Sequence, residues 1–254
     1  MDYFVDKNSV VRQIWGNSDT ILFIFAGASA EFALNKAVDW LYFTGKLPAD
    51  PLGRLFSTVA YAQRIVFSDR TGAYRAIDKM REIHASVEAS RGAAIPDWAY
   101  RDVLFMLIYY SVRAFELLNR KLTNQENEEI YQVFYAVGER MGIKDLPANY
   151  QAWLPVHAQH LQQDLQKSAF TSNLFQQYRK HLGTFRYLIL REAQTMVAPP
   201  RVNELLGKRK ISLLYPILYL YKASRVLKTD WLLKEIIFPA GYKSQIKGLD
   251  KSLS

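Results

Sequence analysis

The chain has 254 residues, 50% of them hydrophobic and 22% charged, with 12 Gly and 9 Pro; this excludes a disordered or fibrous chain and leaves one large domain or two small ones. No Cys is present, which excludes disulfides, thiolate metal ligands, a cysteine nucleophile and thioether attachment of a porphyrin. The formal net charge is +9, concentrated between Arg201 and Ser254, where eleven Lys or Arg stand against four Asp or Glu.

Nearly every segment reads as helix, and alternating strand patterns are almost absent. The opening "MDYFVDKNSV" has acidic residues and no apolar core, unlike a signal peptide. "SDTILFIFAGASAEFALNKAVDWLYFTG" (18–45) opens on a Ser-Asp cap pair and is apolar almost all round in its first half, so one central helix is predicted there. Two prolines in "LPADPLGRL" end it, and a second helix is predicted from Leu52 to Phe67. A third follows Ser68-Asp69 and stops near Ser90-Arg91-Gly92; a fourth, very apolar, starts at Pro96. "TNQE" (123–126) has the form of a capping box and begins a helix ending near Gly142. "LPANYQAWLP" reads as a loop or broken turn, followed by helices at 155–170 and 172–197. "APPRVNELLGKRK" is a connector with a short helical turn, and 211–226 and 230–238 are predicted helical. The expected fold is a single all-α domain over residues 1–254. The apolar runs at 21–34 and 103–110 are shorter than the roughly 20 residues a membrane-crossing helix needs, so a cytoplasmic location is expected.

In the third helix Ala73, Ile77, Met80, His84 and Val87 fall on one face, so His84 lies where the core should be. A buried imidazole must be neutral and hydrogen-bonded, or bound to something; periodicity alone leaves a structural core histidine and a ligand both open. On the preceding helix Arg54, Thr58, Tyr61 and Ile65 share a face, which gives a cation and a hydroxyl pointing the same way. These could bind a carboxylate and a small ligand, or be a surface arginine and a threonine packed on its methyl. In "PVHAQHLQQD", His157, His160 and Asp164 lie along one flank of a helix whose expected apolar seam is Leu154, Ala158, Leu161 and Leu165. Two His and a carboxylate are a non-haem iron ligand set, but the flank is Gln-rich, as a solvated face is. His181 is taken as structural. Phosphate loop, nucleophile elbow and HExxH motif are all absent.

The order and spacing of several of these segments resemble the haem-binding oxygenase family of the mycophenolic-acid synthesis protein B and the latex-clearing (rubber oxygenase) proteins. The resemblance runs through "IWGNSDTILFIF" (14–25), "DPLGRLFST" (50–58), "RIVFSDRTGAYRAIDKMREIHASV" (64–87) and "LTNQENEEIYQVFYAVGERMGI" (122–143). Its most specific part is Arg-x-x-x-Thr followed some thirty residues later by His. It implies a multi-helix domain enclosing a haem pocket, with His84 as proximal ligand of a non-covalent haem b and Arg54 and Thr58 beside the haem. It also implies dioxygen and a hydrophobic, isoprenoid-like substrate. Two departures stand out: Leu34-Asn35 where the family commonly has His-Pro, and Ser57 where the latex-clearing proteins have lysine. The second argues against rubber cleavage.

Three functions follow as expectations: a haem-dependent oxygenase, a non-catalytic haem or lipophile binder on the same fold, and a cofactor-free helical scaffold. Without a zinc-finger or RNA-binding motif no nucleic-acid partner is expected. The basic C-terminal region, with "ISLLYPILYLY" in its middle, is either a solvated face over a buried helix or a surface for peripheral membrane contact.

Overall fold

Most of the helices start where a short polar side chain takes up the free amides of a first turn. In the computed structural model, which describes residues 2–45, 49–226, 246 and 248–251, Ser9 opens α1 (Val10–Trp15) and Asn17 opens α2 (Ser18–Phe32). The chain then turns into α3 (Val38–Phe43). Asp50 accepts from the Gly53 amide at 2.8 Å to begin α4 (Pro51–Phe67), and Asp69 accepts from Gly72 at 2.6 Å to begin α5 (Arg70–Arg91). Pro96 precedes α6 (Asp97–Leu118). α7 (Asn124–Met141) opens on the predicted capping box, Thr123 and Glu126 each bonding the other's backbone amide. α8 (Tyr150–Gln163), α9 (Ala169–Val197), α10 (Pro200–Leu205) and α11 (Tyr215–Val226) complete the order. The only β-pairing among the described residues is two isolated bridges, so the all-α expectation holds.

α2 is the centre, packed chiefly on α6 and α9. Gly27 makes the approach possible: a Cβ there would lie 2.1 Å from the Tyr110 ring on α6 and 2.9 Å from Val197 on α9. The main core joins Ile14, Trp15, Ile21, Ile24, Phe105, Ile108 and Tyr131, each worth about 1.5–3 kcal/mol when fully buried. A smaller core of Ile65, Ala73, Ala76 and Ile77 seals α5 on α4. Two ion pairs then fix α5 along its length: Arg91 to Asp39 at 2.7 Å, with its guanidinium over the Trp40 ring, and Arg140 to Asp78 at 2.6 Å. Both lie across inter-helix seams, so they hold the register of the helix that carries His84.

Three element boundaries differ from expectation. The 18–45 helix breaks after Phe32, because Leu34 and Lys36 give their backbone groups to Gln166 and Asp164 instead of continuing the helical ladder. Val10–Trp15 is an additional helix, too short for periodicity to reveal. "LPANYQAWLP" is not a loop: Asn149 caps α8, which admits Pro155 and ends at Gln163, well before residue 170. The predicted helix at 230–238 lies outside the described residues. Among those residues no helix is long and apolar enough to cross a membrane.

Candidate functional site

Arg54 on α4 lies near enough to His84 on α5 for its charge to act on the imidazole. His84 is half-buried, with its ring edge-on to Tyr100 at 5.2 Å between centroids. Tyr100 is oriented by Glu88, whose Oε1 accepts from the Tyr100 hydroxyl at 3.2 Å and from the Ile95 amide at 2.8 Å. Burial pushes the His84 pKa below the ordinary imidazole range; the Met80 carbonyl and Glu88 oppose this, while the charge of Arg54 adds to it. The ring is therefore neutral at pH 7. Its Nδ1 is buried and no hydrogen bond of proper geometry reaches it, even though the Met80 carbonyl, one turn back, weighs toward the protonated form. A buried nitrogen without a partner is costly, and such a group needs an explanation.

Arg54 is half-buried, and burial lowers its pKa from the usual guanidinium value. It donates through Nη1 to Ser57 Oγ at 3.2 Å and has no carboxylate partner among the described residues. Ser57, which stands where a lysine was expected, spends its own hydroxyl on the Arg54 carbonyl at 2.7 Å. The Thr58 hydroxyl donates to that same carbonyl at 3.2 Å, which leaves its oxygen lone pairs free to accept.

A second constellation lies between α2, α6 and α8. Here the flank read as solvated is buried: His157 is 5% and His160 4% exposed, while Leu154 and Ala158 of the expected seam face solvent. The reason is electrostatic. His160 Nε2 donates to Glu31 Oε1 at 3.2 Å, and Nδ1 reaches Asp102 at 2.8 Å and Asp164 at 3.3 Å. Burial alone would lower the His160 pKa, but the hydrogen bonds and charges of Asp102 and Glu31 outweigh it and lift the value to about 10. His160 is thus an imidazolium joining carboxylates from three helices. Tyr110 donates to Glu31 Oε2 at 2.8 Å, and Asn35, one of the two departures noted above, donates to Asp102 at 2.9 Å.

Ligand atoms of Asp102, His160 and Asp164 lie within 4.8 Å of one another, a spacing that a single cation can span. A proton shared between His160 and its carboxylates is compatible with the same geometry. His157 is not part of the group. Its ring is stacked between Tyr109 and Trp153, each 4.8 Å away, and burial together with the neighbouring His160 charge drives its pKa down to about 3. Sequence reasoning missed Glu31 and Asp102. The available signal was Glu31 itself, a carboxylate in the most apolar helix of the chain, which demands a buried cation.

The third feature is a cavity of about 480 Å³ between α2, α4, α9 and α11, lined almost wholly by apolar side chains including Phe23, Leu55, Phe56, Leu190, Met196 and Leu218. That volume suits a small organic ligand. α4 has two functional flanks: Leu52, Leu55 and Phe56 face the cavity, whereas Arg54 and Thr58 do not line it, and neither does His84.

The fold is an all-helical body with a lipophilic chamber on one flank of α4 and the half-buried His84 imidazole on another. The particular family follows from comparison. Residues 13–218, from within α1 into α11, match the family described as "ER-bound oxygenase mpaB/B'/Rubber oxygenase, catalytic domain", and the chain belongs to that oxygenase family. The match extends well past the segments that carry the resemblance in the sequence. No curated protein and no solved structure matches the chain in the other two comparisons.

Proposed function

We propose that this protein is a haem b-dependent oxygenase that uses dioxygen to oxidise a hydrophobic, isoprenoid-like substrate. The observation that carries the reading is His84: a neutral imidazole whose buried Nδ1 has no well-formed hydrogen bond, within reach of the Arg54 charge, in a chain of an oxygenase family. The donor set fits a porphyrin. His84 offers a nitrogen for iron, and Arg54 offers a guanidinium that no carboxylate of the described residues neutralises, suited to a haem propionate. Bound haem would supply the binding and activation of dioxygen.

The chain's own residues do the rest. Tyr100 and the core of Ile65, Ala73 and Ile77 hold the His84 helix in place. Arg54 sets a positive potential that favours a neutral His84 and an anionic partner. Thr58 commits its hydroxyl proton to the Arg54 carbonyl, so toward a haem it would act as an acceptor. The apolar cavity excludes water and holds the hydrocarbon substrate. A cytoplasmic site of action belongs to the same reading, supported by the cysteine-free composition.

The test is a pyridine haemochrome assay combined with dioxygen uptake in the presence of an isoprenoid polyene such as squalene. Near-equimolar haem b with polyene-dependent uptake supports the oxygenase. Haem without uptake across a panel of polyenes favours a haem or lipophile binder, and a protein that rejects added haemin is a cofactor-free scaffold. Arg54→Ala is expected to weaken haem retention without unfolding the protein, since its side chain bonds only within its own helix.

A further inference from the structure

Part of the cavity lining lies at the surface. Phe185 on α9 and Ile217 on α11 both line the cavity, yet are 61% and 49% exposed. Around this rim lie more large apolar side chains facing solvent: Leu188 beside Phe185, and Leu213 and Leu220 spaced four before and three after Ile217, with Tyr219 next to them. An exposed apolar area of this kind is uncommon on a monomeric soluble protein and marks a binding surface.

Its charge is one-sided. From Arg179 to Arg191 the chain has four Lys or Arg and no carboxylate; from Arg209 to Lys222 it has three and none. Glu192, next in sequence to the first stretch, is engaged by Arg209 at 2.5 Å, by the Ser212 hydroxyl at 2.8 Å and by the Leu213 amide at 2.7 Å, and Asp19, in the cavity lining, accepts from the Tyr221 hydroxyl. Glu192 organises the loop that presents Leu213 rather than offsetting the positive field. Apolar side chains set among cations and tyrosines match the boundary between lipid head groups and acyl chains. A protein partner would need only apolar complementarity; the excess of cations in these two stretches favours an anionic surface.

We infer that the face formed by the second half of α9 and residues 209–222 docks peripherally on an anionic lipid bilayer. Docked this way, the rim of the cavity meets the acyl region, and an apolar molecule passes from bilayer to cavity without crossing water. The docking itself does not depend on haem; its use for substrate delivery rests on the oxygenase reading.

The experiment is co-sedimentation of the full chain with phosphatidylcholine vesicles, with and without phosphatidylglycerol, at low and high salt. The variants are Leu213→Asp, Leu220→Asp and Lys210→Glu, none of which lines the cavity. Binding is expected to the phosphatidylglycerol vesicles, to fall with salt, and to drop roughly tenfold or more in each variant. Melting temperature and haem content should not move. The inference is overturned if wild type sediments with neither vesicle, or if the variants bind as wild type does. It is equally overturned if the face proves to join two copies of the chain, seen by ultracentrifugation as a dimer that Leu220→Asp dissolves while vesicles stay unbound. Lys210→Glu, a surface charge reversal, keeps the test open should an apolar-to-acid variant misfold. A haem-loaded protein that ignores vesicles sinks the docking alone; a colourless protein that binds them sinks the haem reading alone.

Discussion

Replacing His160 with leucine removes the imidazole that bridges Glu31, which is 0% exposed, and Asp102, which is 1% exposed. Two carboxylates are then stranded in the core, with only Tyr110 and Asn35 as donors. Breaking a buried pair from one side costs about 3–5 kcal/mol, and at about 2–4 °C per kcal/mol for a chain of this size the melting temperature should fall by about 6–20 °C. The pH dependence gives an independent reading. The folded pKa of His160 is raised to about 10 against an ordinary 6.5, so its stabilisation is fully present below pH 6.5 and is lost as pH rises through 10. Wild type should therefore lose stability over that window at up to about 1.4 kcal/mol per pH unit. The leucine variant should lack this component. Adding Glu31→Gln and Asp102→Asn to the variant should recover part of the loss, because the stranded charges are then gone. Thermal melts at a series of pH values measure all three effects. If the single variant melts with wild type, or the two pH curves run parallel, His160 is not the buried imidazolium described above.

Gly27→Ala should destabilise by about 1–3 kcal/mol, since its Cβ would come within 2.1 Å of a buried Tyr110 ring that cannot swing away; an unchanged urea midpoint would show that α2 and α6 are not in this close contact. Ala193→Trp should fill the chamber and reduce the affinity for an apolar fluorescent probe such as N-phenylnaphthylamine by roughly tenfold, about 1.4 kcal/mol, while leaving haem content unchanged. Equal probe binding by the variant would place the apolar site elsewhere.

The helical class and most helix starts were legible because they rest on local chemistry. Asp69 before Gly72 and Thr123 with Glu126 cap within four residues of themselves, and the apolar face through Ala73, Ile77 and Met80 is a property of one helix. The same face was expected to bury His84, but it thins toward its C-terminal end, where His84 and Val87 are half-buried rather than enclosed. What could not be read locally are features set by partners far along the chain. The α2 helix ends where residues 164–166 take over its backbone hydrogen bonds. His157 and His160 looked solvated because their flank is rich in Gln, yet the buried face of α8 is chosen by Glu31 and Asp102, which lie 129 and 58 positions away from His160. Apolar periodicity assigns a polar face to water by default, so it misses a polar face that is buried against another polar face. The family resemblance supplied the order of Arg54, Thr58 and His84; the structure adds that Arg54 has no acidic partner among the described residues and that a separate apolar chamber lies across α4.

The central claim is that His84 is on the core side because it binds iron. The most direct measurement is the absorption spectrum and haemochrome content of wild type and His84→Ala, both expressed with a haem supply. Wild type should show a strong Soret band with haem b near one per chain, and His84→Ala should lose it while keeping its helical circular dichroism. A His84→Ala protein that retains haem in full would contradict the assignment, and a wild type that rejects haemin would return His84 to an ordinary place in the helix packing.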